Sequence, residues 1–232
     1  MAKRRSTRSK KQAQNDETLV DIVEAKDSLQ ESFEKNKVLV LSMIGGFILL
    51  VGGYLFYQYG IIAPKEKAVM ESMYQAEFQF SRDSFALALE NPGGEAEGFL
   101  DIIENYSGTS AANTAKYYAG ISYLNLGRYE EAIDYLSSYS ANGKITPAWK
   151  QGALGDAHSE LGEFDKALGF YKKAASYDDD TSQPYFLNKL GLLSQRQGDN
   201  QQALNAFKQI TEKYPNSREY SNAKKFVTLL ES

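Results

Sequence analysis

The chain has 232 residues, 24% of them charged and 42% hydrophobic, with 26 basic against 30 acidic side chains and a formal net charge of −4. It contains no cysteine and 1 histidine, which excludes disulfide frameworks, thiolate metal sites, cysteine nucleophiles and histidine-pair metal motifs. The length suffices for one domain with some additional elements.

Residues 1–37 begin "MAKRRSTRSKK", with 6 basic side chains and no acidic one. This is the composition of a largely disordered, solvated topogenic tail, and the positive-inside tendency assigns it to the cytoplasm. The following "DETLVDIVEAKDSLQESFEKNK" places Leu19, Ile22, Val23, Leu29 and Phe33 at helical intervals. That spacing predicts a short amphipathic helix, suited to a membrane partner or to the membrane surface itself.

"VLVLSMIGGFILLVGGYLFYQY", residues 38–59, carries no charge over 22 residues. As a helix it is about 33 Å long, enough to cross the hydrocarbon core. Tyr54, Phe56, Tyr57 and Tyr59 crowd its far end, where an aromatic belt belongs. A long segment precedes it and no small-x-small site follows, so a retained single-pass anchor is expected rather than a cleaved signal. Gly45 and Gly52, and Gly46 and Gly53, each share a helix face, with Ser42 one turn before Gly46. Small residues of this kind permit close helix packing in lipid.

From Pro64 onward, 17 basic and 23 acidic residues give a net charge of −6, which removes the electrostatic footprint of a nucleic-acid binder. Residues 64–112 read as a long helix from Lys65 to Glu90, with Met70, Met73, Tyr74, Phe78, Phe85 and Leu89 as its apolar side. "NPGG" then stops it, and a degenerate first repeat unit follows. "FLDIIENYSGTSAANTA" from Phe99 echoes "FKQITEKYPNSREYSNA" from Phe207 at the phenylalanine, isoleucine, glutamate, tyrosine and final alanine. A helix, a tight turn and the start of a further helix are therefore expected in both places.

Three stretches then repeat one pattern: "GISYLNLGRYEEAIDYL" from Gly120, "GDAHSELGEFDKALGFY" from Gly155 and "GLLSQRQGDNQQALNAF" from Gly191. They share a first glycine, an eighth-position glycine (Gly127, Gly162, Gly198), an alanine (Ala132, Ala167, Ala203) and a closing Leu136, Tyr171 or Phe207. The starts lie 35 and 36 residues apart, a period that marks a solenoid of helix pairs. The eighth-position glycine can close the first helix in the left-handed conformation. The small residues let the paired helices approach closely. Units at 113–146, 148–181 and 184–217 follow, and a helix over 218–232 caps the stack with Tyr220, Ala223, Phe226, Val227 and Leu230 on one face.

These units resemble the tetratricopeptide repeat, through Gly120, Tyr123, Gly127, Tyr129 and Ala132 in the first and Gly155, His158, Gly162, Phe164 and Ala167 in the second. The third has Ser194 and Asn200 where large residues are usual, and the late proline is Pro215. The fold class expected is all-α: one transmembrane helix followed by a repeat α-solenoid with a C-terminal cap. The resemblance implies a groove lined by the first helix of each pair, here Tyr117, Ile121 and Asn125, then Trp149, Asp156 and Ser159, then Tyr185, Asn188 and Gln195. Such an amphipathic groove suits peptides or unfolded segments. The family's carboxylate clamp is not matched, because Tyr117 and Ile121 stand where polar or basic groups are needed.

No phosphate loop, dinucleotide fingerprint or nucleophile elbow occurs. The lone histidine, His158, sits in a packing slot, and "DDD" at Asp178–Asp180 lacks the glycine and distal glutamate of a calcium loop. Expectations are therefore for a binding protein without enzymatic activity, cofactor, metal, nucleic-acid partner or small-molecule substrate.

The layout of basic tail, single span and acidic repeat domain resembles the YfgM-like family of membrane-anchored proteins of Gram-negative bacteria. "GFLDIIENYSGTSAANTAKYYAGISYLNLGRYEEAIDYL" is similar to its versions from Bacteroidota. The resemblance implies an inner-membrane protein with cytoplasmic N-terminus and periplasmic repeats. In that family the role implied is accessory to the Sec translocon, passing emerging clients to periplasmic chaperones. A cell-envelope scaffold for a division or outer-membrane assembly complex, without client binding, is the alternative.

Overall fold

A computed structural model describes residues 34–143 and 145–232. The amphipathic segment expected around Leu19–Phe33 and nearly all of the basic tail lie outside the described residues. The chain divides into two compact units, Met1–Ile61 and Ile62–Ser232.

In the first unit, α1 (Lys37–Phe56) is apolar on every side and buries none of its residues. Phe47 is 67% and Leu49 77% exposed, an arrangement that water disfavours and a bilayer satisfies. The helical run from Lys37 to Ala68, which includes a π-helical turn at Tyr57–Ile62, is long and apolar enough to cross a membrane.

The second unit begins with α2 (Ala63–Ala68), α3 (Met70–Ser81) and α4 (Phe85–Glu90). The single helix expected from Lys65 to Glu90 is thus broken at Arg82–Ser84. Asp83 adopts φ 59°, a left-handed turn that aspartate tolerates better than most residues. The amides of Arg82 and Ser84 bond the Gln79 carbonyl and that of Asp83 bonds Phe80. The turn folds α4 back so that Ala88 and Leu89 join Val69, Met73 and Ala76 in one core. The predicted apolar side is split accordingly: Met73 and Leu89 are buried, whereas Met70, Tyr74 and Phe78 remain exposed.

After α5 (Phe99–Asn105) come three helix pairs: α6 (Ser110–Asn125) with α7 (Tyr129–Ser138), α8 (Thr146–Glu160) with α9 (Phe164–Ala174), and α10 (Ser182–Arg196) with α11 (Asn200–Lys213). The capping helix is α12 (Tyr220–Glu231). Among the described residues the protein is all-helical, a helical-repeat solenoid behind an apolar span. The first helices start slightly before the expected repeat boundaries because local devices stabilise their first turns. Thr109 Oγ1 accepts from the Ala112 amide, Pro147 occupies the first turn of α8, and Asp179 Oδ2 accepts from the Ser182 amide.

The repeated pattern has the packing meaning that its spacing suggests. Gly127, Gly162 and Gly198 have φ of 75°, 75° and 83° and end α6, α8 and α10 in the left-handed conformation. A Cβ placed on Gly120 would stand 2.6 Å from Leu136 Cγ, and one on Gly155 or Gly191 2.7 Å from the ring of Tyr171 or Phe207. The helices of each pair therefore touch backbone to side chain. Phe226 of α12 closes the stack by lying parallel on Phe207, with centroids 4.7 Å apart.

Gly191→Ala is expected to destabilise the repeat unit by about 1–3 kcal/mol through overpacking against Phe207. Gly169→Ala, mid-helix in α9 with open space around its Cβ, is expected to stabilise it by about 0.5–1 kcal/mol. Urea unfolding of the detergent-solubilised chain, followed by circular dichroism, measures both; equal effects at the two positions would contradict the packing account.

Candidate functional site

The first helix of each pair carries the residues that the sequence marks as a groove, and the structure treats them unequally. On α6, Tyr117 is half-buried, with its ring 5.3 Å from Tyr139 and 6.1 Å from Tyr118. Burial first, then Tyr139 and Tyr118, pushes its hydroxyl above the ordinary tyrosine range. Ile121 packs with Leu136, Ala153 and Leu154, so these two side chains join the first pair to the second. Asn125 is exposed, and its Nδ2 donates to the Ile121 carbonyl at 2.8 Å.

Trp149, Asp156 and Tyr185 are brought together across α8 and α10. The Trp149 ring lies 5.5 Å from Tyr185 and 5.3 Å, edge-on, from Phe186. Phe186 reaches this position because α8 has a glycine opposite: a Cβ on Gly152 would fall 1.9 Å from the Phe186 ring. One turn along, Asp156 Oδ1 accepts from Tyr171 Oη and from Lys189 Nζ, each at 2.6 Å. The Lys189 ammonium also lies 5.3 Å from the Tyr185 centroid and 5.7 Å from that of Tyr171, within cation–π range.

The electrostatics of this box are consistent. Burial alone would lower Lys189, but the charge and hydrogen bond of Asp156 outweigh it and hold the ammonium above its usual range. Tyr171 is pushed up strongly, by burial first and then by the Asp156 carboxylate it bonds. Asn188 Oδ1 accepts from Asn222 Nδ2 of α12 at 3.2 Å. Gln195 is half-buried in the last turn of α10.

Models of the tetratricopeptide repeat match residues 114–142 and 189–217, and a further model of the same repeat matches 152–182. These segments fall on the three helix pairs. Over those segments the array is similar to tetratricopeptide repeats. No curated protein matches the chain. Repeats of this kind indicate protein–protein interaction.

Sequence reasoning missed Lys189 and the Gly152–Phe186 contact. Lys189 lies one turn after Tyr185, on the same face of α10, but nothing local shows that Asp156 stands opposite it. His158, expected as a packing residue, is buried and stacked on Phe170 with centroids 5.1 Å apart, its Nδ1 2.5 Å from Glu163 Oε2.

Five residues make up the small-residue face of α1. Ser42 Oγ donates to the Val38 carbonyl at 2.7 Å, a bond within its own helix. A Cβ on Gly45, Gly46, Gly52 or Gly53 would meet nothing within 4 Å.

A double-mutant cycle of Asp156→Ala and Lys189→Ala is expected to show a coupling of about 1 kcal/mol, since both side chains are partly exposed. Because the folded pKa of Lys189 is raised, this stabilisation is fully present below the ordinary lysine pKa of about 10.4. It is lost as pH rises through the raised folded value. Repeating the cycle at neutral and strongly alkaline pH checks the sign; coupling that grows with pH would contradict it.

Proposed function

We propose that the chain is an inner-membrane-anchored repeat protein that serves as an accessory subunit of the Sec translocon. In this reading, residues 38–59 cross the membrane, the basic tail stays in the cytoplasm and the repeats act in the periplasm. There they receive emerging polypeptides and link them to periplasmic chaperones. The observation that carries the reading is the coexistence in one chain of an all-round apolar helix and a repeat face bearing Tyr117, Trp149 and Tyr185. Half-buried aromatic side chains flanked by amides suit extended segments, because they supply apolar area while leaving polar partners for a peptide backbone.

The resemblance of the whole layout to YfgM-like proteins supports the translocon as the place of action, and the six basic residues of "MAKRRSTRSKK" support the orientation. The face of Ser42, Gly45, Gly46, Gly52 and Gly53 is the proposed contact with a neighbouring membrane helix, small side chains allowing close approach in lipid.

The test is a mild-detergent pull-down of the full-length chain from its native membrane, beside a version with residues 38–59 replaced by an unrelated span. A photo-crosslinker at Tyr117 reports on bound segments. Translocon subunits that depend on the native span, together with unfolded clients crosslinked at Tyr117, are the expected result. Recovery of one stable envelope complex through the repeats, with no translocon subunit and no client, overturns the reading in favour of a scaffold.

A further inference from the structure

At the start of α8 and α10 the repeat face opens into a cleft of about 520 Å³, whose lining includes Trp149, Pro184 and Tyr185 together with Asp180, Arg218 and Glu219. We infer that this cleft binds a basic side chain, arginine above all, of an extended polypeptide partner. The inference rests on the peptide-binding reading of the repeats and adds the chemistry that the bound segment must carry.

Charge and ring chemistry argue for it together. Two carboxylates, Asp180 and Glu219, and one guanidinium, Arg218, line this cleft, and none of the three forms an ion pair with another described residue. Asp178 is a further exposed carboxylate on the same loop. The negative field is felt by a neighbour: after burial, the charges of Asp180, Asp178 and Asp179 push the Tyr214 hydroxyl up. The indole of Trp149 and the ring of Tyr185 supply π-faces against which a planar guanidinium can lie.

The protein already uses this combination once, a turn away. Lys189 Nζ rests over the rings of Tyr171 and Tyr185 with the Asp156 carboxylate 2.6 Å from it. The cleft repeats the recipe of aromatic rings and carboxylates, and among the described residues no lysine or arginine of the chain lies over Trp149. An acidic peptide meets the reverse situation, two carboxylates repelling it and only Arg218 attracting it. The polarity is thus opposite to that of a clamp for a C-terminal carboxylate.

Trp149 is the only tryptophan in the chain, so its fluorescence reports on this cleft alone. The full chain in detergent is titrated with the capped pentapeptide Gly-Ser-Arg-Ser-Gly, with its citrulline twin, which is isosteric and neutral, and with its glutamate twin. The expected result is a saturable change in Trp149 emission with the arginine peptide and binding about tenfold weaker with citrulline. The Asp180→Asn, Glu219→Gln double variant, changed only at the rim, is expected to lose the preference for arginine while keeping the wild-type helical content. Equal binding of arginine and citrulline, tighter binding of glutamate, or no saturable change overturns the inference. Client crosslinking at Tyr117 is read in parallel: if it persists, only the basic-side-chain inference fails, and if it disappears as well, the peptide-binding reading fails with it.

Discussion

Close approach of the two helices within each pair is the constraint on which the repeat array depends. Gly120, Gly155 and Gly191 face Leu136, Tyr171 and Phe207 at distances that leave no room for even a methyl group. The large side chain is in every case on the second helix and the glycine on the first, so each pair closes in the same sense. Ala132, Ala167 and Ala203, all fully buried, keep the second helices equally tight. A fully buried phenylalanine such as Phe207 contributes about 1.5–3 kcal/mol, which outweighs the cost of about 1 kcal/mol for a glycine inside a helix.

Once the pairs are closed, the first helices of neighbouring pairs stand side by side, and the groove chemistry follows from that. Phe186 enters the gap left by Gly152 and brings α10 up to α8. Asp156 then meets Lys189, and Trp149 meets Tyr185. The Asp156–Lys189 pair is only partly exposed, so each charge depends on the other for compensation. The 2.6 Å contact and the two ring contacts are satisfied together at one spacing of the helices. The same side chains therefore set the separation of the repeats and the electrostatic character of the face they present.

Ahead of the repeats, Asp83 has an effect out of proportion to its size. Its left-handed backbone reverses α4 onto α3 and completes a small core around Val69, Met73, Ala88 and Leu89. The reversal also decides which apolar residues are covered. Met73 lies inside while Met70, Tyr74 and Phe78 lie outside, although all four belong to one predicted apolar side. Helical periodicity counts faces, and only the packing partner decides which face is used.

Local signals in the chain carry the all-helical class, an apolar run long enough for a span, the helix pairs and their turns. The physical reason is locality: an uncharged run long enough for a bilayer, a left-handed glycine at Gly127, Gly162 and Gly198, and small residues at a fixed period each act through neighbours within a few residues. Tyr117, Trp149 and Tyr185 could be placed on first helices for the same reason. What those side chains meet follows from the packing of one repeat on the next. Lys189 and Asp156 are 33 residues apart, Gly152 and Phe186 are 34 apart, and each becomes a pair only through the rotation between successive repeats, which no residue encodes alone. The break at Asp83 belongs with them, because aspartate permits a left-handed turn without requiring one, and burial of Ala88 and Leu89 made the choice.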